Sequence, residues 1–188
     1  SHTVRITDSN GCSTTATVII GQDDPIPPTI TCAADIAVSN DPGVCEASVI
    51  VPGPTVNDNC SIATLTNDYT GTDNASGVYP VGTTIVTWTA TDPDGNTVTC
   101  TQNITVRDDE LPTLTIPTNI TLDNDVDVCG AVYDYTVDFA DNCLGATITQ
   151  TAGLPSGSVF PVGPTTNTFV VTDAAGASIT NSFVVTVN

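Results

Sequence analysis

Two sets of side chains in this 188-residue chain could do chemistry: seven cysteines and 21 acidic residues. Cys12, Cys32, Cys45, Cys60, Cys100, Cys129 and Cys143 include no C-x-x-C pair, and the single histidine, His2, cannot complete a zinc set. Their expected chemistry is therefore disulfide formation, which belongs to oxidising compartments outside the cytosol. The acids face only Arg5 and Arg107, with no lysine, so the formal net charge is −19. Such a balance argues against nucleic acid or an anionic membrane as partner, since both need a basic footprint. It favours hard divalent cations, which gain from clustered oxygen ligands. The plain alternative for any one carboxylate is solubility through like-charge repulsion.

The elements that must position these groups are strands. TTIVTWTATD (83–92), TVTCTQNITV (97–106) and NSFVVTVN (181–188) are rich in threonine and valine, with apolar residues alternating or in short runs. Clusters of Gly, Pro, Asn and Asp interrupt them every 8–12 residues. No helical stretch of useful length is visible, and no segment approaches the roughly 20 apolar residues of a membrane span. The chain also repeats itself. PPTITCAADIAV (27–38) returns as LPTLTIPTNITL (111–122), and VNDNC (56–60) as FADNC (139–143). VYPVGTT (78–84) returns as VFPVGPT (159–165), a period of 81–84 residues. The expected fold is all-β: two tandem immunoglobulin-like sandwiches of about seven strands each. Repeats this small usually need disulfides or metal to supplement the core.

The first copy is placed at 23–107 and the second at 108–188. VRITDSNGCSTTATVIIG, within 1–22, reads as strand, turn and strand: the last hairpin of a preceding sandwich repeat. A lone hairpin is marginal in water, so it is expected either to continue an upstream domain or to dock on another subunit. The chain, starting at Ser1 without methionine, reads as a mature piece or fragment of something longer.

The hairpin TATDPDGNTVTCTQNITV, the entry DDELPTLTI, the turn YPVGTTIVTWTATD and the Asp-Asn after the second strand together resemble the hyalin repeat (HYR) domain over nearly all of 23–188. Residues 1–22 resemble the end of a related repeat of long bacterial surface adhesins. The resemblance implies an immunoglobulin-like fold, an extracellular location, roles in adhesion or fibrous matrix, and no enzymatic activity. The second copy departs from the pattern by lacking two cysteines and most polar residues of its last turn.

Comparison of the copies orders the cysteines. Four in the first copy allow three connectivities. The second keeps the equivalents of Cys45 and Cys60 as Cys129 and Cys143, and has Ile116 and Asn181 at the equivalents of Cys32 and Cys100. Partners should vanish as a pair, so the expected bonds are Cys32–Cys100, Cys45–Cys60 and Cys129–Cys143, with Cys12 unpaired in this chain. The second of these requires Pro52-Gly53-Pro54 to end the second strand early and fold the chain back. Were that strand straight, Cys45 and Cys60 would lie at opposite ends of the sandwich.

In a sandwich of this topology the entry segment, the B–C loop and the F–G loop share one end. For the first copy that end gathers Asp23, Asp24, Asp58, Asn59, Asp92, Asp94 and Asn96, a set suited to the six to eight oxygen ligands of Ca²⁺. For the second it gathers Asp108, Asp109, Glu110, Asp141, Asn142 and Asp173; Ala175 and Ala177 replace the other two, so a weaker or absent site is expected. The same turn sequences also serve as ordinary hairpin turns. LDNDVD (122–127) lacks the glycine and terminal glutamate of an EF-hand loop and reads as an acidic A–B loop.

No serine–histidine–acid set exists, and Trp88 lies mid-strand among alternating apolar residues, as core filler. Asn-x-Ser/Thr occurs at Asn59, Asn74, Asn103 and Asn119, leaving glycosylation open. The reading is a structural, non-catalytic segment of an extracellular or cell-surface fibre or adhesin stalk, stiffened by disulfides and by calcium at its joints. Its partners would be neighbouring repeats or identical subunits, with neither nucleic acid nor membrane insertion. Two alternatives are a filament subunit whose hairpin 1–22 completes a neighbour by strand addition, and a module binding glycan or protein through an exposed aromatic patch that the sequence does not show.

Overall fold

The computed structural model describes residues 2–18 and 23–188. Every regular element among them is a β-strand. Spatially the chain divides into two compact units. One comprises residues up to Ala33 with Gly53–Asn74 and Thr87–Thr101; the other comprises Ala34–Pro52, Ala75–Val86 and Gln102–Asn188. The second unit therefore contains the whole of the second sequence repeat and one end of the first.

The strands form where period-two sequence meets turn residues. In the first unit, β1 (His2–Thr7) and β2 (Ser13–Val18) make an antiparallel hairpin. Its turn is capped by Asp8, whose Oδ1 accepts from the backbone of Asn10 and Cys12. The first repeat supplies β3 (Thr29–Thr31), β4 (Ile36–Ser39), β5 (Glu46–Val49), β6 (Thr55–Asn57), β7 (Thr64–Asn67), β8 (Gly77–Pro80), β9 (Gly82–Thr91) and β10 (Thr97–Arg107). Their four-stranded sheet runs β4-β10-β9-β7, with β3-β6 and β5-β8 as separate pairs. Trp88 is fully buried, as its alternating neighbours foretold.

The second repeat copies this plan with β11 (Thr113–Thr115), β12 (Ile120–Leu122), β13 (Gly130–Tyr133), β14 (Asp138–Ala140), β15 (Thr147–Ala152), β16 (Ser158–Pro161), β17 (Gly163–Thr172) and β18 (Ser178–Val187). The sheet β12-β18-β17-β15 is joined by the pairs β11-β14 and β13-β16. Along β18, Phe183, Val185 and Val187 are buried in alternation. They pack with Ala131, Phe160 and Phe169, flanked by Tyr133, Tyr135 and Ile116. The fold is all-β and immunoglobulin-like. Each repeat has eight short strands; the second-strand stretch is divided in two, β5 and β6 or β13 and β14, each with its own partner.

That division corrects the disulfide scheme. A bond joins Cys32 to Cys100 with Cα atoms 5.9 Å apart. The expected Cys45–Cys60 and Cys129–Cys143 bonds are absent; Cys45 is bonded instead to Cys143, Cα–Cα 4.9 Å, across 98 residues of sequence. Cys12, Cys60 and Cys129 are free and exposed. Ladder register explains this in the second repeat. Gly130 pairs with Pro161, and the next strand begins at Gly163 opposite Val187, so Cys129 lies at the exit end. Ala140 pairs with Thr113, and the Asn142 side chain reaches Asp108, so Cys143 lies at the entry end. The ten-residue strand between those ends spans about 30 Å, whereas a disulfide needs Cα atoms within about 7 Å. The chain does not fold back between β13 and β14.

Candidate functional site at the repeat ends

The entry ends of the two repeats hold equivalent acidic clusters. In the first, carboxylate oxygens of Asp24, Asp58 and Asp92 lie within 4.8 Å of one another. Asp24 is anchored by the chain turning into β3: its Oδ1 accepts from Ile26 N at 3.0 Å and its Oδ2 from Asn59 Nδ2 at 3.0 Å. These bonds, the Ile26 amide first, hold its carboxyl below the ordinary value, against a smaller opposing effect of burial. Burial pushes Asp92 up, but donors from Asn96, Gly95 and Asp94 outweigh it and leave its value lowered. Asn96 Nδ2 donates both to Asp92 Oδ2 and to the Asp24 carbonyl. Asp94 Oδ2 accepts from Asp24 N, while Asp23 is exposed. Asp58 Oδ2 accepts from the amides of Cys60 and Ser61; its Oδ1 is buried without a partner. The Cys60 thiol is pushed up, first by its hydrogen bond to Asp24, then by burial and by the charges of Asp24, Asp58 and Asp94.

In the second repeat, oxygens of Asp108 and Asp141 lie within the same 4.8 Å of one another and of the Cys143 sulfur, which is spent in the disulfide. Asn142 Nδ2 donates to Asp108 Oδ1 at 3.3 Å, as Asn59 does to Asp24. Asp173 is 6% exposed and caps its turn by accepting from Gly176 and Ala177 amides. Asp109 and Glu110 turn elsewhere: Asp109 accepts from Ser39 Oγ, and Glu110 accepts from Gly43 N at 2.7 Å. Asn142 Nδ2 also reaches the Val44 carbonyl at 3.2 Å. Together with Cys45–Cys143, these contacts clamp the 39–45 segment of the first repeat onto the entry of the second.

Counting ligands ranks the first cluster above the second; the two also differ in how many of their oxygens are already hydrogen-bonded. Asp108 Oδ2, Asp141 Oδ1, Asn142 Oδ1 and Asp173 Oδ2 are all buried with no hydrogen-bond partner, against Asp58 Oδ1 alone in the first set. The cause is local. Asn96 supplies the amide that satisfies Asp92 Oδ2, and Ala177 at the equivalent place supplies none. Buried acceptor-only oxygens are costly unless something positive meets them. This donor set, carboxylate and amide oxygen, fits a hard cation.

An aromatic groove escaped the sequence reading. Thr115, Ile116, Tyr133, Asp134, Tyr135 and Asp138 line an open cavity of about 580 Å³ in the second repeat. The signal was there: Tyr133 and Tyr135 are two apart on a strand-period stretch and so share a face. Both rings also meet the core edge-on, Tyr133 against Phe160 and Tyr135 against Phe169 and Phe183, and the Tyr135 hydroxyl donates to the Leu154 carbonyl.

Fold and cysteine pairing define a class: tandem, disulfide-bonded, all-β repeats of extracellular proteins. The chain belongs to the HYR domain family, which matches residues 23–106 and 107–187. It is 32% identical over 165 residues to Hyalin of Strongylocentrotus purpuratus, covering 86% of this chain and 14% of that protein. It is 31% identical over 178 residues to Hyalin of Lytechinus variegatus, covering 93% of this chain and 33% of that one. The chain thus spans a third or less of these relatives. Among solved structures it is similar to protocadherin gammaB7 EC3-6 (18% identity, 99% of this chain, 57% of that chain, TM-score 0.41). It is also similar to mouse cadherin-23 EC22-24 (13% identity, 86% and 67%, TM-score 0.39). Likeness that low carries no argument about function. Family membership and two disulfides place the chain outside the cell or at its surface.

Proposed function

We propose that this chain is a non-catalytic, length-giving segment of an extracellular fibre or adhesin stalk. Cys45–Cys143 carries the reading: a covalent bond from the end of one repeat to the entry of the next makes a hinge into a fixed joint. Small-angle scattering of the oxidised chain and of a Cys45→Ser, Cys143→Ser variant tests it. The variant should have a broader distribution of maximum dimensions; identical profiles would remove the mechanical role of the bond.

Calcium at the entry clusters is a second element of the reading, supported by the unpartnered oxygens of Asp108, Asp141, Asn142 and Asp173. These residues would hold the ion, which would offset their like charges beside the disulfide. EDTA should lower the melting temperature of the second repeat, with Ca²⁺ but not Mg²⁺ restoring it; no response to either ion removes calcium from the account. Assembly through the hairpin is supported by the exposure of Val4 and Ile6 on β1, an apolar pair that strand addition to a neighbour would cover. Deleting 1–22 should then abolish assembly while leaving both repeats folded.

A further inference from the structure

We infer that Cys129 and Cys60 are the two halves of the same staple, and that Cys129 of one copy bonds to Cys60 of the next to continue the chain of fixed joints. This rests on the structural reading above and names its partner: a second copy of the repeat, docked end to end. Cys129 occupies the place of Cys45, and Cys60 the place of Cys143, and those counterparts are bonded to each other in this structure.

The loops around the free cysteines are already shaped for the bond. Ahead of Cys45, Asp41 N donates to Glu46 O, Val44 N donates to Asp41 O, and Asn40 Nδ2 donates to the carbonyls of Asp41 and Val44. Ahead of Cys129, Asp125 N donates to Gly130 O, Val128 N donates to Asp125 O, and Asn124 Nδ2 donates to the carbonyls of Asp125 and Val128. Asp41 Oδ2 accepts from Ser48 N, and Asp125 Oδ2 from Val132 N. The tight turn needs positive φ at one position: Gly43 at 77° in one loop and Asp127 at 61° in the other. A residue other than glycine is held there, so the second loop keeps the shape at some backbone cost.

The receiving end matches too. The side-chain amide of Asn59 lies 3.5 Å from Cys60 Sγ, and that of Asn142 lies 3.6 Å from Cys143 Sγ. The polar contact from Gly43 to Glu110 would not recur, because Ile26 stands where Glu110 does. Ile26 is 56% exposed and Val126, beside the Gly43 equivalent, is 88% exposed. These two give the new joint an apolar contact where the existing joint has a hydrogen bond. Head-to-tail contacts of this kind build an open fibre when the rotation between copies does not close a ring.

The bond forms by exchange with a small disulfide such as oxidised glutathione. Cys129 takes one glutathione as a mixed disulfide and releases the other as thiol. The Cys60 thiolate of a second copy then attacks the Cys129 sulfur and expels the second glutathione thiolate. One protein disulfide forms, two protein thiols are oxidised, and two glutathione thiols are produced.

A complementation experiment tests this, using full chains carrying Cys12→Ser with either Cys60→Ser or Cys129→Ser in a glutathione redox buffer. The mixture should give a disulfide dimer at least tenfold in excess of the dimers that either variant forms alone, and mass spectrometry should find Cys60 joined to Cys129. Equal dimer yields from single variants and mixture would overturn the inference. So would glutathione-capped Cys60 and Cys129 in chains whose Cys45–Cys143 peptide is intact, or migration of Cys45 to Cys60. The scattering of the monomer reads the existing joint independently, so failure here leaves the structural reading standing.

Discussion

Where the first repeat joins its first and last strands through Cys32–Cys100, the second has Ile116 and Asn181. Ile116 packs against the core of the second repeat, and Asn181 is exposed. At the positions of Val49, Val51 and Gln102, the second repeat has Tyr133, Tyr135 and Phe183. There Phe183 stacks on Phe169 at 6.4 Å and meets Tyr135 edge-on at 5.0 Å. One copy thus restrains the unfolded chain, and the other gains contacts in the folded one. The same β-framework accepts either, because strand register and turn chemistry are common to both.

The largest way to break this comparison is to remove the internal bond. Cys32→Ser with Cys100→Ser opens a loop of 68 residues and should cost about 4 kcal/mol. That lowers the melting transition of the first repeat by roughly 20 °C. Calorimetry should show the second transition unmoved; a shared fall would mean that the repeats do not fold independently. Next comes Phe183→Ala, which empties the aromatic cluster and should cost the second repeat about 3 kcal/mol while sparing the first.

Acid provides a subtler separation. Asp24, Asp35 and Asp92, all in the first repeat, have carboxyls lowered from the usual 3.8 by hydrogen bonds to their charged forms. For Asp35 the donors are the Asn103 amide and side chain. A depressed native value stabilises the fold fully above the unfolded value and loses that contribution as pH falls through the native one. The first transition should therefore hold steady down to about pH 4 and drop below it, and Asp35→Asn should flatten that drop. The smallest effect is expected for Glu110→Ala. It deletes one exposed bond to Gly43 and should cost about 1 kcal/mol or less, leaving Cys45–Cys143 formed in non-reduced peptide maps.

Much of this architecture is legible in the residues. Alternating Thr and Val mark the long hairpins β9–β10 and β17–β18, and Asp-x-x-Gly marks their turns, because both signals are local. The Asp and Asn residues of the B–C and F–G loops could be grouped from topology alone. Which of their oxygens are already satisfied could not, since that depends on where one amide points: Asn96 satisfies Asp92, and nothing at Ala177 does the same for Asp173.

The sequence by itself determined two β-repeats, their period, their extracellular chemistry and which positions carry sulfur and carboxylate. Only the tertiary structure decided which sulfurs meet. Counting losses between copies treats each repeat as a closed unit, but Cys45 and Cys60 take the positions whose second-repeat counterparts lie a sandwich length apart. Bonding is governed by separation in space, and the nearest partner of Cys45 lies in the next repeat, 98 residues along the chain and 4.9 Å away between Cα atoms.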